Sequence, residues 1–232
     1  MTSASRVRGP VGSECQIRSP SGEPGRDCPR CPRLVAFRET WRKNEPDWFN
    51  APVPSFGPVD ARLLIVGLAP GLRGANRTGR PFTGDFAGDL LYATLKEFGF
   101  AKGDYAARPD DGLTLIDCRI TNAVRCVPPE NKPTPHEIAT CRDFLVMTLK
   151  EMTKVRAIVT LGRIAHETVI AAQNAKRSAY PFLHGSAYPM GAATLFASYH
   201  CSRYNTSTRV LTPKMFHDVF AQVRAHLDAK GA

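Results

Sequence analysis

No apolar run in this sequence approaches the ~20 residues needed to span a bilayer, and no apolar stretch follows Arg6 and Arg8 as a secretory leader would require. The expectation is a cytoplasmic protein with no membrane partner. Acidic residues are scarce. Against 31 Lys and Arg stand 21 Asp and Glu, a formal net charge of +10 in 232 residues. That imbalance favours a polyanionic partner, DNA or RNA being the commonest, over the plain alternative of a merely soluble basic protein. Cysteine sets the next limit. Seven is an odd number, which argues against a disulfide framework in a chain this long. Cys28 and Cys31 form a C-P-R-C pair and Cys126 and Cys141 a looser one, while Cys15, Cys118 and Cys201 stand alone. Clustered cytosolic cysteines are more often metal ligands, and spacing alone does not choose between zinc and iron–sulfur.

Large apolar residues are also nearly missing from positions 1–26, which are rich in Gly, Ser, Pro and Arg. Such a segment cannot bury enough surface to order itself, so it reads as a disordered tail. The remainder, 27–232, shows no repeat and no linker and reads as one domain.

Within that domain strands and helices alternate. Leu63-Leu64-Ile65-Val66 is a buried strand ending at Gly67. Asp85 caps a helix carrying Phe86, Leu90, Leu91, Leu95 and Phe98, stopped by Gly99. A second strand lies around Ile116 to Val124. Thr134-Pro135-His136-Glu137 is a capping box opening the next helix. Val155 to Leu161 is a third strand, followed by a helix to about Ala172, and Thr194 to Tyr199 is a fourth. A last helix opens at Thr212-Pro213. This alternation specifies an α/β fold, a three-layer α/β/α arrangement around a four-stranded parallel sheet. Such sheets bind ligands beyond the carboxyl ends of their strands. The informative residues are therefore Gly67 to Asp85, Asn122 to Cys126, Gly162-Arg163 and His200 to Thr206.

The first of these loops, G-L-A-P-G-L-R-G-A-N-R-T-G-R-P-F-T-G-D, holds five glycines and ends on a helix cap. Glycines let backbone N–H groups approach a ligand, and the helix start adds a positive dipole end. It lacks the G-K-[ST] of a phosphate loop, and its plain alternative is a long connection. His200 follows the last strand, where a ligand-facing and a structural role weigh about equally. Asn122 lies near the end of the second strand; its amide suits a base edge and could as well cap a turn.

The run from Gly67 to Asp85, with T-N-A-V-R-C-V-P-P-E-N-K-P-T-P and S-Y-H-x-S-R-x-N-T, resembles the signature of family 5 (type b) uracil-DNA glycosylases. The resemblance covers roughly residues 28 to 228, with the motifs in order. It implies a glycosylase that cuts the N-glycosidic bond of uracil, and of other deaminated bases such as hypoxanthine, to begin base excision repair. It implies a uracil-DNA glycosylase-like fold, a DNA partner carrying deaminated bases, a monomer and a nucleoid-associated location. It also implies a [4Fe–4S] cluster on Cys28, Cys31, Cys126 and Cys141, structural zinc being the alternative. Position by position, Phe82 stacks on the flipped base. The backbone of Gly67, Leu68, Ala69 and Gly71, with Asn122, lines its edge, and His200 hydrogen-bonds a carbonyl of the departing base. Asn76, Asp85 and Asn122 are the candidates to hold the attacking water. Arg73, Arg77, Arg80 and Arg203 are candidate phosphate contacts, and Ser202, Arg203, Tyr204 and Asn205 lie on the segment that presses on DNA.

Three positions depart from related patterns. Leu68 and Ala69 stand where many uracil-DNA glycosylases carry polar or acidic residues, so no carboxylate activates water there. Cys201 stands where many relatives have proline. A zinc-stapled binding module would explain charge and cysteines but neither the glycine-rich loop nor His200. Capture of the abasic sugar through the histidine is disfavoured because Ala-Ser-Tyr precedes His200 without a basic insertion.

Overall fold

The computed structural model describes residues 22–229. The elements run α1 (Pro32–Asn44), β1 (Leu63–Gly67), α2 (Ala75–Thr78), α3 (Phe86–Glu97), β2 (Ala101–Lys102), β3 (Thr114–Leu115), β4 (Cys118–Asn122), α4 (Pro135–Glu151), β5 (Ala157–Leu161), α5 (Arg163–Ala172), β6 (Ala187–Met190), β7 (Ala193–Ser198), α6 (Arg203–Ser207) and α7 (Pro213–Ala229). The central sheet has the order β4-β1-β5-β7-β6. The first four in that order are the parallel strands expected from the sequence. The fifth, β6, is a correction: it pairs antiparallel to β7 at the edge. Its sequence, Ala-Tyr-Pro-Met, holds a proline and little β-branching, so periodicity gave no strand there.

Alternation along β1 builds the two cores. Leu63 and Ile65 pack with Leu91 and Leu95 of α3 and Phe216 and Phe220 of α7. Leu64 and Val66 pack with Leu145 of α4 and Val169 of α5 on the other face. Every residue of β1 and β5 is buried, as a sheet covered on both sides requires. The caps behave as the sequence specifies. Asp85 accepts from the Gly88 N–H, and Thr134 with Glu137 closes a reciprocal box.

The chain leaves β1 through α3 toward β4 and leaves β5 through α5 toward β7, on opposite faces. This reversal opens a crevice at the carboxyl ends of β1 and β5, the place where such sheets take ligands. The tail boundary at 26 is also corrected. Gly22 N–H donates to Glu151 Oε1 at 2.7 Å, and Glu23 Oε2 accepts from the fully buried Arg125 at 2.6 Å, so 22–26 is packed onto the domain. Residues 1–21, including Cys15, lie outside the described residues.

Candidate active site

The crevice holds a cleft of about 500 Å3, lined by Leu68, Ala69, Gly71, Phe82, Asp85, Asn122 and His200 among others. Its floor forms because β1 and β4 continue pairing past their ends: Ala123 N–H donates to Gly67 O and Val124 N–H to Leu68 O, both at 2.9 Å. Glycine at 67 is forced by close approach. A Cβ there would stand 2.6 Å from Phe82 Cζ and would also strike Asn122 Oδ1. Gly67 thus lets the aromatic ring and the amide meet over one backbone position. Phe82 itself is left-handed, with φ +53°, which costs a residue with a Cβ about 1–2 kcal/mol. Strain of this kind persists only where surroundings hold it.

His200 follows β7 and lays its ring against Phe82, with centroids 6.0 Å apart and 28° between planes. Its carbonyl accepts from Asn205 Nδ2 at 2.8 Å, which fixes the turn. Burial pushes its pKa down to about 4, so the imidazole is neutral near pH 7. Asn122 is 3% exposed, and its Oδ1 is buried with no hydrogen-bond partner. An unmet buried acceptor costs roughly 1–3 kcal/mol and marks a position awaiting a donor. Asp85 Oδ1 caps α3 through the Gly88 N–H at 3.0 Å. Burial raises its carboxyl above the usual range. Its Oδ2 faces Gly74, where an added Cβ would stand 2.8 Å away.

The structure therefore gathers Gly67, Leu68, Ala69, Gly71, Phe82, Asp85, Asn122 and His200 at one cleft, with Ser202 and Arg203 on it as well. Two assignments need correction. Asn76 is buried and donates its amide to Asn50 Oδ1 at 2.9 Å, outside the cleft lining, so it is not placed to hold water there. Arg80 is 4% exposed and grips Asp111 with two hydrogen bonds of 2.8 and 2.7 Å, so it has no access to a phosphate. Arg73 and Arg77 are exposed. Arg203 lies over the Phe86 ring at 5.4 Å, and Tyr204 is 74% exposed. Asn205 spends its amide on His200 rather than on the surface. Sequence reasoning missed Phe86 and Asn131, which also line the cleft. Phe86 read as a core residue of α3, and Asn131 sat within the proline-rich run where its left-handed φ of +56° carried no signal.

The four paired cysteines border one small cavity with Leu34, Val124 and Phe144. Cys31 ends the turn into α1 and Cys141 lies on α4. Arg125 N–H reaches Cys141 Sγ at 3.3 Å and Arg38 Nη1 reaches Cys126 Sγ at 3.9 Å, as donors do around sulfur bearing negative charge. Burial pushes Cys126 up to about 12 and Cys141 up to about 11, so thiolates here require a cation. No group of three or more His, Cys, Asp or Glu among the described residues is placed to hold a metal ion as it stands. Ala69 of the glycine-rich loop packs on this same cluster of side chains, which joins the cysteine cavity to the cleft.

A mostly parallel sheet whose carboxyl end gathers an aromatic, an unpaired amide, a buried carboxylate and a neutral histidine around one cleft, in a chain of net charge +10, makes this an α/β protein with a ligand-sized site at its strand ends. Residues 54–224 match the sequence model of the Uracil DNA glycosylase superfamily, and the chain belongs to that superfamily. It is 48% identical over 204 residues to the type-5 uracil-DNA glycosylase of Thermus thermophilus, covering 85% of this chain and 92% of that protein. It is 39% identical over 228 residues to the type-5 enzyme of Mycobacterium tuberculosis (94% and 83%). With that of Pyrobaculum aerophilum it shares 37% over 203 residues (86% and 88%).

Proposed function

We infer that this chain is a uracil-DNA glycosylase of the type-5 kind, hydrolysing the bond between uracil N1 and the deoxyribose C1′ in DNA and so starting base excision repair. The observation that carries this reading is the unpaired Asn122 amide beside the Phe82–His200 pair inside the cleft. A base must leave the duplex to reach such a pocket, at a cost of a few kcal/mol. Stacking on Phe82 repays part of it, and the N3–H of uracil supplies the donor that Asn122 Oδ1 lacks.

The glycosidic bond then breaks with its electron pair going to the base. His200, neutral, donates its N–H to the uracil carbonyl on which negative charge grows. Asp85 orients water toward C1′ and takes its proton as the C–O bond forms, a role its raised pKa favours. Leu68 and Ala69 leave that edge of the pocket apolar, so hypoxanthine and xanthine enter at a graded disadvantage, one missing contact being worth ~1–3 kcal/mol.

Cys28, Cys31, Cys126 and Cys141 would hold a [4Fe–4S] cluster, structural zinc being the alternative. The group would supply cross-linking of segment 22–31 to the loop and helix after β4, with no part in the hydrolysis. Arg73, Arg77 and Arg203 would meet phosphates of the DNA, and the chain would act as a monomer at the nucleoid. No helix is long and apolar enough to cross a membrane among the described residues. The test is incubation with duplexes carrying one uracil, hypoxanthine or xanthine, followed by alkali cleavage. Uracil-dependent strand breaks are expected, and none at any enzyme excess overturns the reading.

A further inference from the structure

The left-handed Phe82 backbone raises the question of what holds it. Residues 80–83 are each pinned. Tyr92 Oη donates to Pro81 O at 2.6 Å, and Arg80 Nε donates to Thr83 Oγ1 at 2.7 Å. The other two anchors come from one segment between β2 and β3 that belongs to none of the motifs. Tyr105 Oη donates to Phe82 O at 3.2 Å. Asp111 receives both terminal nitrogens of Arg80, and its carboxylate also accepts from Ala106 N–H at 2.9 Å and Leu113 N–H at 3.1 Å, which fixes the segment on itself. The Arg80 guanidinium lies among the rings of Phe56, Tyr92 and Tyr105 at 5.4, 5.5 and 5.8 Å. Neither Tyr105 nor Asp111 lines the cleft.

The geometry points to Tyr105 and Asp111 as positioning residues that hold Phe82 in its left-handed conformation, and so set the plane on which the extruded base stacks. The inference rests on the proposed stacking of the base on Phe82. Three features support it. The hydrogen bond from Tyr105 ends on the carbonyl of the strained residue itself. Gly88 leaves room for it, since a Cβ there would strike both Phe82 O and the Tyr105 hydroxyl. The Arg80–Asp111 pair fixes the chain two residues upstream, with 4% and 1% of the side chains exposed, so no water loosens it. Burial pushes the Tyr105 hydroxyl up to about 12, so it stays a donor at any working pH. The two residues act on base placement and not on the chemistry of His200 or Asp85.

The decisive experiment is a double-mutant cycle between Tyr105→Phe and Phe82→Ala, read by single-turnover excision of uracil from a duplex. Tyr105→Phe removes one hydroxyl and keeps the ring packed on Tyr92, at 4.7 Å between centroids. It is expected to slow excision about tenfold, with the melting temperature and the affinity for abasic duplex DNA unchanged. In the Phe82→Ala background the same change should cost less than twofold, because a residue acting through Phe82 has nothing left to position. An equal tenfold loss in both backgrounds would show a general structural role and overturn the inference, as would a wild-type rate in Tyr105→Phe alone. A crystal structure of Tyr105→Phe reads the brace without turnover. Phe82 should leave the left-handed region or its ring should shift from His200, and an unmoved Phe82 overturns the inference. If wild type releases no uracil, it is the glycosylase reading that fails, and the crystallographic result still decides the brace.

Discussion

The imidazole of His200 faces the ring of Phe82 across 6.0 Å, and neither of its ring nitrogens has a hydrogen-bond partner among the described residues. A neutral N–H left free beside an aromatic platform is a donor kept for a ligand. His200→Ala should therefore slow the chemical step by on the order of 10²–10³-fold, the usual loss on removing one oxyanion donor. Affinity for duplex DNA holding an abasic site should change little, since the base is absent there. Single-turnover excision at the wild-type rate in this variant would disprove the assignment.

The pH dependence follows from two shifts of opposite sign. Burial holds His200 down at about 4, so it does not gain a proton between pH 5 and 8. Burial raises Asp85, so the acid limb of the rate profile belongs to this carboxylate and lies above the ordinary range of aspartate. Asp85→Asn should abolish that limb and cost about 10²–10⁴ in rate. Linkage gives a stability test as well. The unfolded histidine takes a proton at about 6.5 and the folded one at about 4, so the unfolded state binds more protons in between. Stability contributed by His200 is thus whole above 6.5 and is lost as pH falls toward 4. His200→Asn should flatten that part of the stability curve, and an acid limb at 6.5 that vanishes in His200→Asn would refute both statements.

Gly67→Ala tests the close approach directly. Its added methyl meets the Phe82 ring at 2.6 Å and the Asn122 amide, both of them movable side chains, so the fold should survive at a cost of roughly 1–3 kcal/mol. The two displaced groups are those proposed to receive the base. Excision should fall at least 10²-fold while circular dichroism stays that of the wild type. Full activity in a folded Gly67→Ala protein would mean that the ring and the amide need not meet there.

Much of this site was legible because its residues follow strand ends, and strand ends are set by short apolar runs giving way to polar residues or glycine. Gly67, Asn122 and His200 all sit where β1, β4 and β7 stop or just beyond. What stayed hidden depended on distant partners. Arg80 reads as one more loop cation until Asp111, thirty-one positions on, is seen to take it into the core. Asn76 reads as a water ligand until Asn50 claims its amide. Glu23 belonged to an unfavourable composition, yet it answers the buried charge of Arg125 and carries 22–26 with it. No period or local propensity encodes such pairings, and the edge strand β6, with its proline, lacked even a period.

The arginines can be sorted by salt. Arg73 and Arg77 are exposed and Arg203 stands at the cleft, and no carboxylate within 4.0 Å is found for any of them among the described residues. Replacing each by alanine should weaken DNA binding across sequences and reduce the slope of log K against log salt by about 1. Arg80→Ala should behave differently. It strands the buried Asp111 carboxylate, which predicts a loss of roughly 3–5 kcal/mol in stability with the salt slope kept. A reduced slope in a stable Arg80→Ala protein would return that residue to the DNA-contacting set.

The cysteine cavity makes the last prediction. Four thiols share it, burial disfavours ionisation of Cys31, Cys126 and Cys141, and N–H donors already reach Cys126 and Cys141. Such a pocket is poor for free cysteines and suited to thiolates compensated by a cation. Helix α1 brings to it the buried Leu34, while Ala69 packs there from the glycine-rich loop. Protein purified without oxygen should be brown and contain about four irons per chain. Cys126→Ala should lose the colour and the melting temperature together, and excision should decline with the loss of fold. Hydrolysis itself should not depend on the oxidation state of the group, since the groups proposed to react, Asp85, Asn122 and His200, are all protein side chains in the cleft. Colourless protein holding one zinc per chain at full activity would replace the cluster by its alternative, and a metal-free, fully active protein of unchanged stability would exclude both.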